Sequence, residues 1–347
     1  MYISVIFLVA CILSLCINWI LIKFSINLGV RNLSKEDEIR WQSRKPSVGG
    51  LAFYLVFLIL YSIISNIVIH SALGQFVFQF QRDVSLLIAL TAGFFVGLID
   101  DAKNTNPLLK FLGQIFCGLI LVYFGVIIPI SPNLIWNGIC TVIWTVFLMN
   151  SINMLDNMDG LTSLVSFIII IGMVTFGFTQ PFQTVSILMS IVTAGILIGF
   201  LVYNWHPSKI YMGDSGSQFL GIALAHLSIV FIWNQRVTHG GYFQVNQFFL
   251  PLMMFTIPIF DTATVFIHRL LRRQSPFVGG KDHLSHHLVY MGLKDSQAVT
   301  ILAVINALYL FIGLMIDRFY PQYILPTMIL WLCSFGIVQL FYSRIKR

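Results

Sequence analysis

The sequence predicts an all-α polytopic membrane protein with about 11 transmembrane helices. Three observations carry this expectation. Of 347 residues, 58% are hydrophobic and only 10% charged, where a soluble chain carries roughly 25% charged residues. Mean hydropathy is +0.88. No Asp, Glu, Lys or Arg occurs from Phe111 to Leu155, from Gly160 to Ser208, or from Phe319 to Ser343. A membrane-crossing helix needs about 20 predominantly apolar residues, so each of the first two stretches holds two spans. Backbone groups in lipid must be satisfied within the segment, which makes every span helical.

Taken in order, the spans are expected at 2–24, 48–70, 84–100, 108–129, 134–153, 161–179, 183–203, 217–234, 248–269, 297–316 and 323–343. The first has no basic segment before it and is long for a signal-peptide core, so it reads as an uncleaved span. The connections between spans are short, and residues 1–347 read as one integral membrane domain without an internal repeat. The loops after odd-numbered spans, with Lys23 and the C-terminal tail, hold all of the 20 Lys and Arg except Arg82, Arg236 and Arg318. The positive-inside rule then puts the N-terminus outside and the C-terminus in the cytoplasm. The +7 formal charge follows from this topology and from anionic headgroups, and nucleic-acid binding is not expected. All five cysteines lie in apolar runs without CxxC spacing and read as small buried hydrophobes.

Ten of the thirteen acids fall on the same expected side as the basic loops. Five segments there carry the candidate chemistry. In "RNLSKEDEIRWQSRKPSVGGL", Arg44 and Lys45 precede a Pro46/Gly49/Gly50 entry into span two, and they fit either a topogenic cluster or a phosphate contact. In "GLIDDAKNTNPLLKFLGQ", Asp100 and Asp101 end a short apolar run, and ionisable groups at that depth are functional candidates. Lys110, with Gln114 one turn on, faces the same region. In "SINMLDNMDGL", Asn153, Asp156 and Asp159 recur every third residue and share one side if the segment is helical. No Lys or Arg lies between Phe111 and Ser208 to neutralise them, so a cation or a hydrogen-bonding ligand is expected.

Asp214, in "PSKIYMGDSGS", sits at a Gly/Ser-rich helix start, which serves equally as an N-cap or as a phosphate and cation site. In "KDHLSHHLVYMGL", His283, His286 and His287 gather among basic residues, an arrangement that suits pyrophosphate better than zinc. Asp261, deep in span nine, fits either a structural or a functional acid. Carboxylates without thiolates imply a hard cation, Mg2+ or Mn2+, held by acids together with substrate phosphates.

"LIDDAKN", "NMLDNMDGL", "PSKIYMGDSGS" and "DHLSHHLVYMGL", in that order and on one expected side, resemble the polyprenyl-phosphate N-acetylhexosamine-1-phosphate transferases, relatives of the phospho-MurNAc-pentapeptide translocase. The resemblance runs from about Arg44 to Met291. It implies transfer of a sugar 1-phosphate from a UDP-sugar to undecaprenyl phosphate, with release of UMP and a need for Mg2+ (or Mn2+). This would be the first membrane step of a cell-envelope glycan pathway, at the cytoplasmic face of a bacterial inner membrane. By position, Asp214 matches the metal-binding aspartate, with Asp100 beside it. Asp100 and Asp101 match paired acids near the lipid phosphate, one of them a base, and Asp159 joins this catalytic set. Asn153, Asp156 and Asp159 match the nucleotide pocket, and Tyr211 the aromatic that stacks on uracil. Lys110 and the three histidines resemble pyrophosphate contacts, and Arg44 and Lys45 belong with the substrate-binding residues. A homodimer is a compatible assembly. The sequence departs from the pattern at His-Leu-Ser-His-His, where some relatives have His-x-His-His. The rival reading is a cation- or proton-coupled transporter. Transporters place acids near the midplane, often in repeated halves, whereas here the acids gather at one face.

Overall fold

Each of the eleven apolar runs carries helix, and the ninth holds two helices. The computed structural model describes residues 2–24, 45–70, 76–178, 183–234, 246–275 and 280–344. The helices are α1 (Tyr2–Phe24), α2 (Gly49–Ile69), α3 (Phe80–Lys103), α4 (Pro107–Tyr123), α5 (Leu134–Leu155), α6 (Leu161–Gly177) and α7 (Val185–Asn204). They continue with α8 (Gly213–Ser228), α9 (Asn246–Met254), α10 (Thr256–Leu271), α11 (Leu284–Tyr290), α12 (Asp295–Phe319) and α13 (Ile324–Arg344). A π-helical turn, Ile229–Trp233, extends α8. A two-residue parallel pairing joins β1 (Phe76–Val77) to β2 (Gln183–Thr184).

The expected count of 11 crossings changes on inspection of length. Eight helices among the described residues are long and apolar enough to cross a membrane, or up to nine if the bent pair counts as one. That pair is α9 and α10, which meet at an angle of 81°. The break falls at Phe255: Pro258 has no amide to give the Met254 carbonyl, and Asn306 takes over there, accepting from the Ile257 amide and donating to the Met254 carbonyl. Helices α4 and α6 have 17 residues each, short of a full span. The expected run 108–129 stops at Tyr123, and the chain turns through Gly125 at φ +74°.

Side-chain caps set two helix starts, one at each end of the bundle. Asn106 accepts from the Leu108 amide with Pro107 in the first turn, and Asn133 accepts from the Ile135 amide. Helix α8 has no cap from its own chain segment; its cap comes from α3, as described below. This helix is the axis of the molecule, since its apolar window is 100% buried against 11% for the span at the C-terminal end. Helices α2, α3, α5 and α6 surround it. One cluster of buried apolar side chains runs from Ala10 on α1 to Trp331 on α13. The close approach of α3 and α8 depends on glycine. A Cβ at Gly97 would overlap the carbonyl of Asp214, so only a residue without a side chain fits.

Candidate active site

Helices α3, α5 and α8 bring their polar ends to one end of the bundle, and α4 begins there. Asp100 lies in the last turn of α3, Lys110 in the first turn of α4, Asn153 in the last turn of α5 and Asp214 in the first turn of α8. The Lys110 Nζ donates to Asp100 Oδ2 at 2.8 Å, to Asp214 Oδ1 at 3.1 Å and to Asn153 Oδ1 at 3.2 Å. Asn153 Nδ2 donates in turn to Asp214 Oδ1 at 2.5 Å and to Ser217 Oγ at 2.9 Å. The sequence between Phe111 and Ser208 holds no cation, yet the acids have one from the preceding helix. Lys110 is thus an internal partner of the acids as well as a candidate phosphate contact.

Asp100 and Asp101, adjacent in sequence, face different tasks. The second oxygen of Asp100 accepts from the amide and hydroxyl of Thr105, so both carboxylate oxygens are engaged. Asp101 accepts from the backbone amides of Asp214 and Ser215 at 2.9 and 2.8 Å, which caps α8 from another helix. Charge-assisted bonds of this kind contribute about 1.5–3 kcal/mol each. Gly213, at φ +74°, lets the chain turn into α8 at this cap, and a Cβ there would press on Ser47.

Asn153, Asp156 and Asp159 do not share a helix face, because α5 ends at Leu155. Asp156 is the C-cap residue and half-buried. Burial first, then the negative charges of Asp214, Asp159 and Asp101, push its carboxyl up to about 7. Asp159 points elsewhere. It accepts from the amide and hydroxyl of Ser208 at 3.0 and 2.8 Å, with His206 Nδ1 at 3.4 Å and Lys45 Nζ at 4.0 Å. The expectation that Asp159 belongs to the catalytic set therefore meets a residue that ties down the 205–210 loop. Lys45 also donates to Ser208 Oγ and lies 5.3 Å from the centre of the Tyr211 ring. Arg44 lies outside the described residues.

The three histidines separate. His283 precedes α11, and its Nδ1 is 2.7 Å from Asp261 Oδ2, while Asp261 Oδ1 accepts the Leu284 amide. Burial opposes the charged imidazole, but the charge and hydrogen bond of Asp261 outweigh it and hold His283 above its ordinary range. His286 is half-buried; burial, reinforced by the neighbouring His283, lowers it to about 4, so it is neutral near pH 7. His287 is buried and stacks on Tyr342 of α13 with ring centroids 3.9 Å apart. This corrects the expectation of three histidines presented together to pyrophosphate. Asp261 anchors His283 and the start of α11.

Several partners carried no local signal. Arg269 forms a two-bond pair with Asp282. Ser285 donates to Asn157 and so joins α11 to the turn after α5. Tyr342 Oη donates to the Asp282 carbonyl. Only the basic-acidic pairing of Arg269 with Asp282 was foreseeable in kind, though not in partner.

The donor set fits a hard cation. Three oxygens from Asp100, Asn153 and Asp214 already surround an ammonium group, and no thiolate is near. Among the described residues, no group of three or more His, Cys, Asp or Glu side chains converges as a protein-only metal cage. That agrees with Mg2+, which takes one or two carboxylates and completes its shell with water and substrate phosphates.

Fold and site define a helical membrane protein with a cluster of carboxylates around a lysine at one end of its bundle. The model of glycosyl transferase family 4 matches residues 84–232, which span α3 to α8. The probable undecaprenyl-phosphate N-acetylglucosaminyl 1-phosphate transferase of Bacillus subtilis is 28% identical, over 88% of this chain and 83% of its own. The decaprenyl-phosphate N-acetylglucosaminephosphotransferase of Mycolicibacterium smegmatis is 27% identical, over 86% and 76%. The phospho-N-acetylmuramoyl-pentapeptide-transferase of Staphylococcus saprophyticus is 30% identical, over 78% and 84%. The chain belongs to glycosyl transferase family 4, the polyprenyl-phosphate N-acetylhexosamine-1-phosphate transferases.

Proposed function

We propose that this chain transfers N-acetylhexosamine 1-phosphate from a UDP-sugar to undecaprenyl phosphate, on the cytoplasmic face of the bacterial inner membrane. The observation that carries this reading is the Lys110 ammonium held by Asp100, Asn153 and Asp214, three residues from separate helices that together match the family's motifs. The activities for which these relatives are named support the acceptor class and the hexosamine phosphate. In the balanced reaction, an oxygen of the lipid phosphate forms a bond to the phosphorus that bears the sugar. The bond from that phosphorus to UMP breaks, and UMP leaves with the electron pair.

A phosphate acceptor is already ionised near neutral pH, so this step needs positioning and charge neutralisation more than a strong base. Asp214 and Asp100 would hold Mg2+ (or Mn2+), which when bound would supply positive charge to the donor's diphosphate. Lys110 offers three donors to phosphate oxygens as its carboxylate partners turn to the cation. Asp100 places Lys110, and Asp101 keeps the α8 amides in register. Half-buried Tyr211 would stack on the uracil, and His283, which Asp261 holds above its ordinary range, would join the pyrophosphate contacts.

Membranes containing the protein, given labelled UDP-GlcNAc, undecaprenyl phosphate and Mg2+, should form a lipid-linked sugar and UMP. EDTA should stop the reaction, and Asp214→Asn should abolish it in a protein that still folds. Ion uptake that depends on Asp100, with no lipid product, would overturn the reading. A screen of UDP-sugars then identifies the donor.

A further inference from the structure

One turn deeper than the acid cluster, three of its helices carry side-chain amides: Gln114 on α4, Asn150 on α5 and Gln218 on α8. Gln114 and Gln218 have no exposed surface. Gln114 Nε2 donates to Asn150 Oδ1 at 3.2 Å and to Gln218 Oε1 at 3.1 Å. Asn150 Nδ2 returns a bond to Gln114 Oε1 at 2.7 Å and donates to the Val146 carbonyl at 2.9 Å. Gln218 Nε2 donates to the Met149 carbonyl at 3.4 Å. The network is uncharged and satisfied from α4 through to α8.

The helices differ in how their spacing is set. Helices α3 and α5 meet α8 at backbone contact through Gly97 and Gly221, and there is little freedom in those distances. Helix α4 packs chiefly on α3 and α5 and reaches α8 through polar side chains, Lys110 above and Gln114 below. A lysine stem is flexible, so its own bonds do not fix the helix that carries it. Buried amides are costly unless paired and their pairing is directional, whereas an apolar contact tolerates sliding. We propose that Gln114, Asn150 and Gln218 are positioning residues that fix α4 against α8. They thereby set where the Lys110 ammonium stands relative to Asp214 and Asn153. Their neutrality suits that place, since a charge one turn below would compete for the lysine or for the cation. The inference rests on the transferase reading for its kinetic test.

The test compares purified protein in nanodiscs with two designed variants. Gln114→Leu/Asn150→Leu/Gln218→Leu removes all three amide side chains at once, and replacing paired polar groups together with apolar ones is close to neutral for stability. Its thermal midpoint should hold, while kcat falls about 10–100-fold and donor KM changes little, the signature of an ångström-scale misplacement. The exchange Gln114→Asn/Asn150→Gln keeps one long and one short amide and should recover most of the kcat lost in either single substitution. Wild-type kcat in the triple variant overturns the proposal. So does a loss that only follows the folded fraction, or an exchange no better than its single substitutions. If the triple variant does not fold, the exchange decides. Binding of Mn2+ alone, read by its paramagnetic resonance, should weaken about ten-fold in the triple variant, and unchanged affinity also overturns the proposal. This last measurement needs no turnover, so absence of transfer by the wild-type protein, which sinks the transferase reading, is distinguishable from failure of the positioning role.

Discussion

Asp156 shows how one carboxyl can report on a whole site. It lies at the end of α5, half-buried, with Asp214, Asp159 and Asp101 close enough to disfavour its ionised form. Its carboxyl is therefore about half protonated near pH 7, the value to which burial and these charges raise it. A divalent cation at this place favours the carboxylate and must displace the proton. Cation affinity should rise with pH through about 7 and level off above it, and binding should release protons. Calorimetry of Mn2+ binding in buffers of different ionisation enthalpy measures that release, and Asp156→Asn should remove it. Proton release that persists in the variant would assign the effect to another group. At the same scale, neighbours in sequence diverge in role. Asp100 holds an ammonium, Asp101 caps a helix, and no property of either residue alone separates them.

Among the elements, the seven-residue helix α11 depends most on its surroundings. A helix of seven residues is far below the length that is stable alone in water. It is held at its start by Asp261, at Ser285 by Asn157, and through His287 by Tyr342 on α13. The Asp261–His283 pair has a definite pH signature. His283 is held above its ordinary 6.5, so this stabilisation is fully present below about 6.5 and is lost as pH rises through the higher folded value. Amide exchange across 284–290 should therefore quicken as pH rises from 6 to 9, beyond the intrinsic rate increase. Asp261→Asn should flatten the excess. A pH-independent protection factor would refute the coupling.

For the molecule as a whole, α8 is the frame on which the site hangs. It is wholly buried, and its first turn is capped by α3 and touches α2 and α5. Gly97→Ala places a methyl group against the Asp214 carbonyl, a backbone atom that cannot swing aside. Overpacking of this kind costs about 1–3 kcal/mol, and here it also separates Asp100 from Asp214. Gly336→Ala, where a Cβ meets open space, is the control. Thermal unfolding in detergent should show a clear loss for Gly97→Ala and none for Gly336→Ala. Equal midpoints would mean that α3 and α8 are not held at backbone contact.

The sequence by itself determined the helical membrane class, the placement of eleven apolar segments and the residues of the acid cluster. These follow from hydropathy and from polar groups stranded beside apolar runs, both of which are local properties. The length test at α4 and α6 and the bend at Phe255 lay just beyond that signal, because apolar composition does not report where a helix stops. What only the tertiary structure decided was partnership. Lys110 meets Asp214 across 104 positions, Asp101 caps α8 across 113, and Asp159 binds Ser208 instead of the cluster beside it. His287 turns to Tyr342 for the same reason. Hydrogen bonds and charge pairs act over a few ångströms of space, and separation along the chain carries no information about which groups will meet there.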